Sequence, residues 1–338
     1  MIISERKTSL LQKFFPVPKY LTLDPFALEI SPKAVRMMQM THTKNGYTPV
    51  VYDEIILTES CSLLESEKDL SSCDELQEAL VKLRDKYKMR FVNVSIPELK
   101  TYIFKITLPK EAAINIRHAI KFKLEDNVPL SPEDVIFHYY VMNQNTRGVS
   151  DDFEVTVAAL PKGVIETYTE LLHSLNLFPI TFESESHALA RSVIDRNDHD
   201  SYLLIHLGAT KINLSIVEKN IVQYASSVPV GGGQVVADLT SNEAQILKEQ
   251  INKLLIYWFT NEHDPSQNEK IELAIVTGEV GNSIDLVNFL ERHLRLSVQV
   301  ADVWRNCFSL DKYIPEISKV DSLRYGIAIG LALINKDS

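Results

Sequence analysis

One order of elements runs twice along the chain, and few folds can hold such a repeat. The first copy opens with FALEI (26–30), AVRMMQM (34–40) and TPVVYDEIIL (48–57), three runs that alternate apolar and polar residues. Ser31-Pro32 and Asn45-Gly46 lie between them, so the three are predicted to form a meander of strands. A helix follows over 74–87, where Leu76, Leu80 and Leu83 recur at helical spacing and Asp74 or Ser72 can cap the start. FVNVSI (91–96) is the next strand. The second copy reads SYLLIHLG (201–208), INLSIVEKN (212–220) and IVQYASSVPV (221–230). A helix then places Leu247, Ile251, Leu254 and Trp258 on one face, with Thr240 and Glu243 as a capping box, before the strand IELAIVTG (271–278). A helix (284–294), a strand (297–302) and a last helix (about 321–335) finish the chain. Two β-β-β-α-β halves imply duplicated α/β lobes around a cleft.

Between the halves, YIFKITL (102–108), a helix from Pro109, VIFHYYVM (135–142), FEVTVAAL (153–160), a helix (161–175) and FPITFES (178–184) read as a small α+β unit of their own. The expected organisation is a flexible tail (1–19), a first subdomain (20–100), the inserted unit (101–182) and a second lobe (183–338). Leu10, Leu11, Phe14 and Phe15 beside Arg6, Lys7 and Lys13 also fit a membrane-surface contact by the tail.

Composition narrows the function. With 35 basic and 45 acidic residues the net charge is −10, against a broad nucleic-acid surface. Cys61, Cys73 and Cys307 form no CxxC pair and are expected to be reduced. No apolar run approaches the ~20 residues a membrane span needs. Eleven glycines in 338 residues are about half the usual ~7%. Phosphate-cradling loops use glycine because only it lets the backbone approach so closely.

Duplicated halves around a cleft are the arrangement of the actin, sugar-kinase and chaperone ATPases. Within that class, LPKEAAINIRHAIKFKLEDNVPLSPEDVIFHYYV (108–141) resembles the PilM family of type IV pilus assembly proteins, through a Pro-Leu-x-x-Glu-Asp turn at Pro129, Leu130, Glu133 and Asp134. VAALPKGVIETYTELLHSLNLFPITFESESHALAR (157–191), TGEVGNSIDLVNFLERHL (277–294) and YGIAIGLAL (325–333) are similar to later parts of the family pattern. The resemblance implies an actin-like body, related to the cell-division protein FtsA, with an inserted α+β subdomain. It also implies a cytoplasmic place under the inner membrane and a groove for the short tail of a PilN-like membrane protein. Through that partner the protein would reach the pilus motor ATPases; self-association is a further expectation.

The family's nucleotide pocket is matched only in part. Its first phosphate hairpin (Ile-Asp-Ile-Gly-x-x-x-x-Lys) corresponds to Leu28-Glu29-Ile30-Ser31-Pro32-Lys33-Ala34-Val35-Arg36. Glu29 keeps an acid, but proline removes an N–H donor. The second hairpin (Asp-x-Gly) becomes His206-Leu207-Gly208-Ala209-Thr210. A neutral imidazole is a poor magnesium ligand, so His206 is expected to be a satisfied sheet residue facing the cleft. Gly231, Gly232 and Gly233 persist in the third element, with Val235 and Val236 near the usual hydroxyl. Gly278 and Gly281 persist in the fourth, where Glu279 is expected to repel phosphates. The adenosine-side subdomain is shortened to about 234–265. The expectation is a pseudo-ATPase scaffold that takes no cofactor; the alternative is an active ATPase binding Mg-ATP in the cleft. Tyr102, Phe104, Ile106 and Leu108 are the candidate partner-binding residues.

Overall fold

The computed structural model describes residues 24–58, 73–144, 152–261, 271 and 273–334. The expected tail therefore lies outside the described residues. In the first lobe, β1 (Phe26–Ser31), β2 (Ala34–Thr43) and β3 (Gly46–Ile56) form the meander. Helix α1 (Asp74–Tyr87) leads to β4 (Phe91–Ile96), which pairs parallel with β1. Alternation along each strand decides what it touches. Leu28, Ile30, Val35 and Met37 pack with α1, whereas Ala27 and Met38 face the opposite way into a different core.

The inserted unit contains β5 (Tyr102–Leu108), α2 (Ile116–Asn127), β6 (Val135–Gln144) and β7 (Phe153–Pro161), with strand order β5-β7-β6. Asn115 caps α2 by accepting from the His118 N–H at 3.2 Å, and Ile120 and Leu124 bury the helix on the sheet. The sequence reading placed the next helix and strand in this unit as well. The structure moves them: α3 (Lys162–Ser174) packs against the core of the first lobe, and β8 (Phe178–Ser184) pairs parallel with β4. Parallel pairing has no connecting turn to betray it in a sequence, because the strands are joined through distant crossovers.

The second lobe repeats the plan. Helix α4 (Glu185–Val193) leads into β9 (Ser201–Leu207), β10 (Ile212–Glu218) and β11 (Ile221–Val228). Helices α5 (Gly232–Ala237) and α6 (Asn242–Asn261) follow, then β12 (Leu273–Gly278), α7 (Ile284–Leu294) and β13 (Ser297–Val300). The two large sheets have orders β3-β2-β1-β4-β8 and β11-β10-β9-β12-β13, the same path in each. Val235, Leu247, Ile251 and Trp258 pack α5 and α6 directly onto the second sheet. The expected capping box is replaced: Ser241 accepts from the Ala244 N–H at 3.2 Å, and Thr240 bonds Asp238 instead.

Helices α8 (Lys319–Ser322) and α9 (Gly326–Ala332) close the chain. Helices α4 and α9 lie between the sheets, in one core with Ala27 and Met38 of the first lobe and Leu204, Val222 and Ile275 of the second. They cross tightly, since a Cβ on Gly330 would stand 1.7 Å from the Ala188 carbonyl oxygen. Cys307 is free and buried, whereas Cys73 is disulfide-bonded, against the reduced-thiol expectation. Sequence spacing carried no signal for that bond.

Candidate functional site

Two hairpins, β1–β2 and β9–β10, meet at the mouth of the inter-lobe cleft. In the first, Ser31 Oγ donates to the Ala34 carbonyl at 2.9 Å and accepts from its N–H at 3.1 Å. Its hydroxyl is thus used inside its own turn, and Pro32 has no N–H to offer. Lys33 Nζ donates to the Thr58 carbonyl at 3.3 Å. In the second, the Gly208 N–H donates to the Lys211 carbonyl, and the Gly208 carbonyl accepts from the Gly232 N–H at 2.8 Å.

Glu29, Ser31, Lys33, His206, Gly208, Ala209 and Thr210 line one cavity, as the sequence reading gathered them. Gly231, Gly232, Gly278 and Gly281 are close-packed positions. A Cβ on Gly231 would meet the Ala209 oxygen at 2.3 Å, and one on Gly232 the Leu207 Cβ at 2.7 Å. Gly278, at φ +101°, and Gly281 allow close passage past Leu207 and Thr277, while Gly233 has open space. Gly231, Gly232, Gly278 and Gly281 thus pack the β9–β10 turn and the end of β12 against each other.

Arg36 holds the middle of the cleft. It stands opposite Glu29 in the β1–β2 register and its side chain is 4% exposed. Each guanidinium nitrogen takes a different carboxylate: Nη1 bonds Glu29 at 2.9 Å, Nε bonds Glu54 at 2.6 Å, and Nη2 bonds Glu279 at 2.5 Å. Glu279, expected to repel a phosphate, is thereby engaged across the cleft. Arg324 Nη1 holds the other Glu54 oxygen at 3.1 Å. Burial opposes the charge on Arg36, but Glu29, Glu54 and Glu279 outweigh it and hold the group above its ordinary value. Burial pushes Glu29 up to about 7 even though Arg36 pulls the other way.

A second cluster forms deeper, at the start of α4. Glu185 Oε2 accepts from Lys211 Nζ at 3.1 Å, from Asn213 Nδ2 at 2.6 Å and from the Glu98 N–H at 3.3 Å. Burial raises its pKa, but Lys211 and Asn213 bring the carboxyl below its usual range. Next to it, burial pushes His206 down to about 4. His206 faces the cleft, but its Nδ1 is buried with no hydrogen-bond partner among the described residues, against the expectation that it is satisfied; Glu29 Oε2 is likewise without one. The cavity in the cleft is ≈ 30 Å³, room for about one or two waters.

Several groups that the family's pocket would turn toward Mg-ATP are otherwise engaged or replaced here. The acid that would meet the metal, Glu29, is bonded to Arg36, the second acid is His206, and the first turn offers neither a spare hydroxyl nor an N–H at Pro32. Arg36, Glu54, Glu185, Lys211 and Arg324 are the site residues that sequence reasoning passed over. Arg36 carried a signal, since a two-residue turn at Pro32-Lys33 sets it directly across from Glu29.

The expected partner-binding face turns inward. Ile106 and Leu108 are buried under α2, and Tyr102 and Phe104 pack half-buried on the same core. Among the six edges of the three described sheets are two that come near each other. Strand β8 ends one sheet and β6 another. Phe178 and Ile180 on β8 and Ile136 on β6 are exposed. The edges are neighbours: Tyr140 of β6 stacks on His187 of α4 at 5.6 Å, and Arg191 pairs with Glu183 of β8. Burial and then Glu183 raise the Tyr140 hydroxyl to about 12.

Two matching sheets, two helices crossing between them and an insertion in the first lobe define an actin-like protein. The family model described as type IV pilus assembly protein PilM matches residues 27–248, and the chain belongs to that family. Among solved structures it is similar to a PilM–PilN type IV pilus biogenesis complex, at 16% identity and a TM-score of 0.67, over 92% of this chain and 98% of that one. It is also similar to the cytoplasmic domain of EpsL, an inner membrane component of the type II secretion system of Vibrio cholerae (12% identity, TM-score 0.48, 91% and 94% covered). A third is the ethanolamine utilization protein EutJ from Carboxydothermus hydrogenoformans (11%, 0.45, 92% and 89%). No curated protein matches the chain. Among the described residues no helix is long and apolar enough to cross a membrane.

Proposed function

We propose that this protein is a cytoplasmic scaffold of type IV pilus assembly that holds the tail of a PilN-like inner-membrane protein and works without hydrolysing ATP. It sits peripherally at the inner membrane and connects that partner to the pilus motors. Family membership supports the assembly role. The observation that carries the binding mode is the pair of open edges, β6 and β8, set side by side with exposed Ile136, Phe178 and Ile180. An extended peptide adds to such an edge through its backbone, and alternate side chains give specificity. The absence of hydrolysis is supported by the cleft, where Arg36 engages Glu29, the one acid kept at a metal-side position.

Titration of the purified protein with a peptide copy of the partner's cytoplasmic tail tests this reading. Wild type binds, and Ile180→Asp weakens binding at least about tenfold by placing a charge on the docking edge. Failure of the wild-type protein to bind at any salt concentration removes the proposal. The alternative, an active ATPase, draws on Glu29, Gly208 and the glycines at 231–233. Sub-millimolar Mg-ATP binding that Glu29→Ala abolishes would establish it instead.

A further inference from the structure

We infer that Arg36 is a built-in tie between the lobes, standing in for the metal–nucleotide that closes other clefts of this class. The inference rests on the reading of a cleft that takes no nucleotide. A bound ligand that bridges two lobes sets their mutual position. Here the bridge is made by side chains separated by 243 positions in the chain. Arg36 belongs to β2 of the first lobe, and Glu279 follows β12 of the second.

The arrangement is asymmetric. Glu29 and Glu54, both of the first lobe, fix the guanidinium from its own side through Nη1 and Nε. Only Nη2 is left to point outward, and it meets Glu279. A buried cation held by two carboxylates at its back is a positioned donor that loses little freedom when it takes a third. Glu279 is the partly exposed member, its side chain 33% open to solvent. Removing its charge therefore leaves Arg36 held at Nε and Nη1 by the first lobe and weakens the Nη2 link to the second. Two other links stay in place: Arg324 of the second lobe bonds Glu54 of the first at 3.1 Å, and deeper, Glu185 of α4 holds Lys211 and Asn213 of the second lobe and the Glu98 N–H of the first.

Hydrogen exchange on the full chain, wild type against Glu279→Gln, tests the tie. The expected result is roughly tenfold faster exchange in the variant at both the β1–β2 and the β9–β10 turns, through easier opening of the cleft. The α1 amides, packed on the face of the first sheet turned away from the Arg36 side chain, keep their rates. Wild-type exchange in the variant, or a change confined to residues 278–281, overturns the tie. A parallel measurement with millimolar Mg-ATP separates the two readings. Wild-type rates unaltered by Mg-ATP are expected. Slower exchange of the wild-type turns with Mg-ATP would sink the cleft reading beneath this inference, whereas an unresponsive Glu279→Gln sinks the tie alone.

Discussion

Gly330 decides how closely the lobes approach, and replacing it with alanine sets two effects of opposite sign against each other. Helix propensity favours the change, because glycine inside a helix is about 0.5–1 kcal/mol worse than alanine. Sterics oppose it. The new Cβ would stand 1.7 Å from the Ala188 oxygen, 2.4 Å from its carbonyl carbon and 3.1 Å from its Cα. These are backbone atoms of α4, so no flexible side chain can yield, and the helices must part by more than an ångström. Overpacking of this kind costs about 1–3 kcal/mol and at times more, and a rigid backbone obstacle places it at the upper end. Gly330→Ala should therefore be destabilised by about 2 kcal/mol or more. At ~2.1 cal/mol/K per residue over 338 residues, each kcal/mol moves the thermal midpoint by about 1–2 °C. A fall of about 3 °C or more in calorimetry is expected. Gly233→Ala is the control: its Cβ meets nothing within 4 Å, so propensity acts alone and the midpoint holds or rises slightly. A Gly330→Ala protein as stable as wild type refutes the close helix crossing.

Two further outcomes follow from the cleft. Arg36→Met strands Glu29 without its cation, leaves Glu54 to Arg324 alone, and should cost about 3–5 kcal/mol in urea unfolding. Adding Glu29→Gln should recover a good part of that loss, and simple additivity of the two changes would contradict the network. The second outcome concerns pH. Burial raises Glu29 to about 7, so between pH 4.5 and 7 the folded protein keeps a proton that the unfolded chain has released. The stability tied to this proton is full below about pH 4.5 and is lost as pH rises through about 7. At about 1.4 kcal/mol per tenfold, the whole effect is roughly 3 kcal/mol. Glu98, also raised to about 7, acts in the same sense, while His187 and His206, pushed down to about 4, act in the opposite one. These groups are common to wild type and Glu29→Gln, so unfolding at pH 5 and pH 8 isolates Glu29: the variant should lose less stability on going to pH 8. Parallel pH profiles would contradict the assignment.

Local physics wrote much of this protein into its sequence. Alternation at FALEI and AVRMMQM, the Asn45-Gly46 turn and the leucine spacing of 74–87 fixed the elements of each lobe, and their repetition fixed the actin-like plan. Even the Glu29–Arg36 pair was legible, since a tight turn sets its own register. What needed the tertiary structure is whatever joins distant segments. The parallel seat of β8 beside β4 lies on the far side of the inserted unit from its partner. The inward turn of Ile106 and Leu108 depends on which face α2 covers. The cleft itself changes character when Glu279 arrives from 243 residues away to hold Arg36. A strand's periodicity shows that a residue faces one side or the other. It carries no record of which charge waits there, because that neighbour is chosen by packing and not by the chain's local conformation.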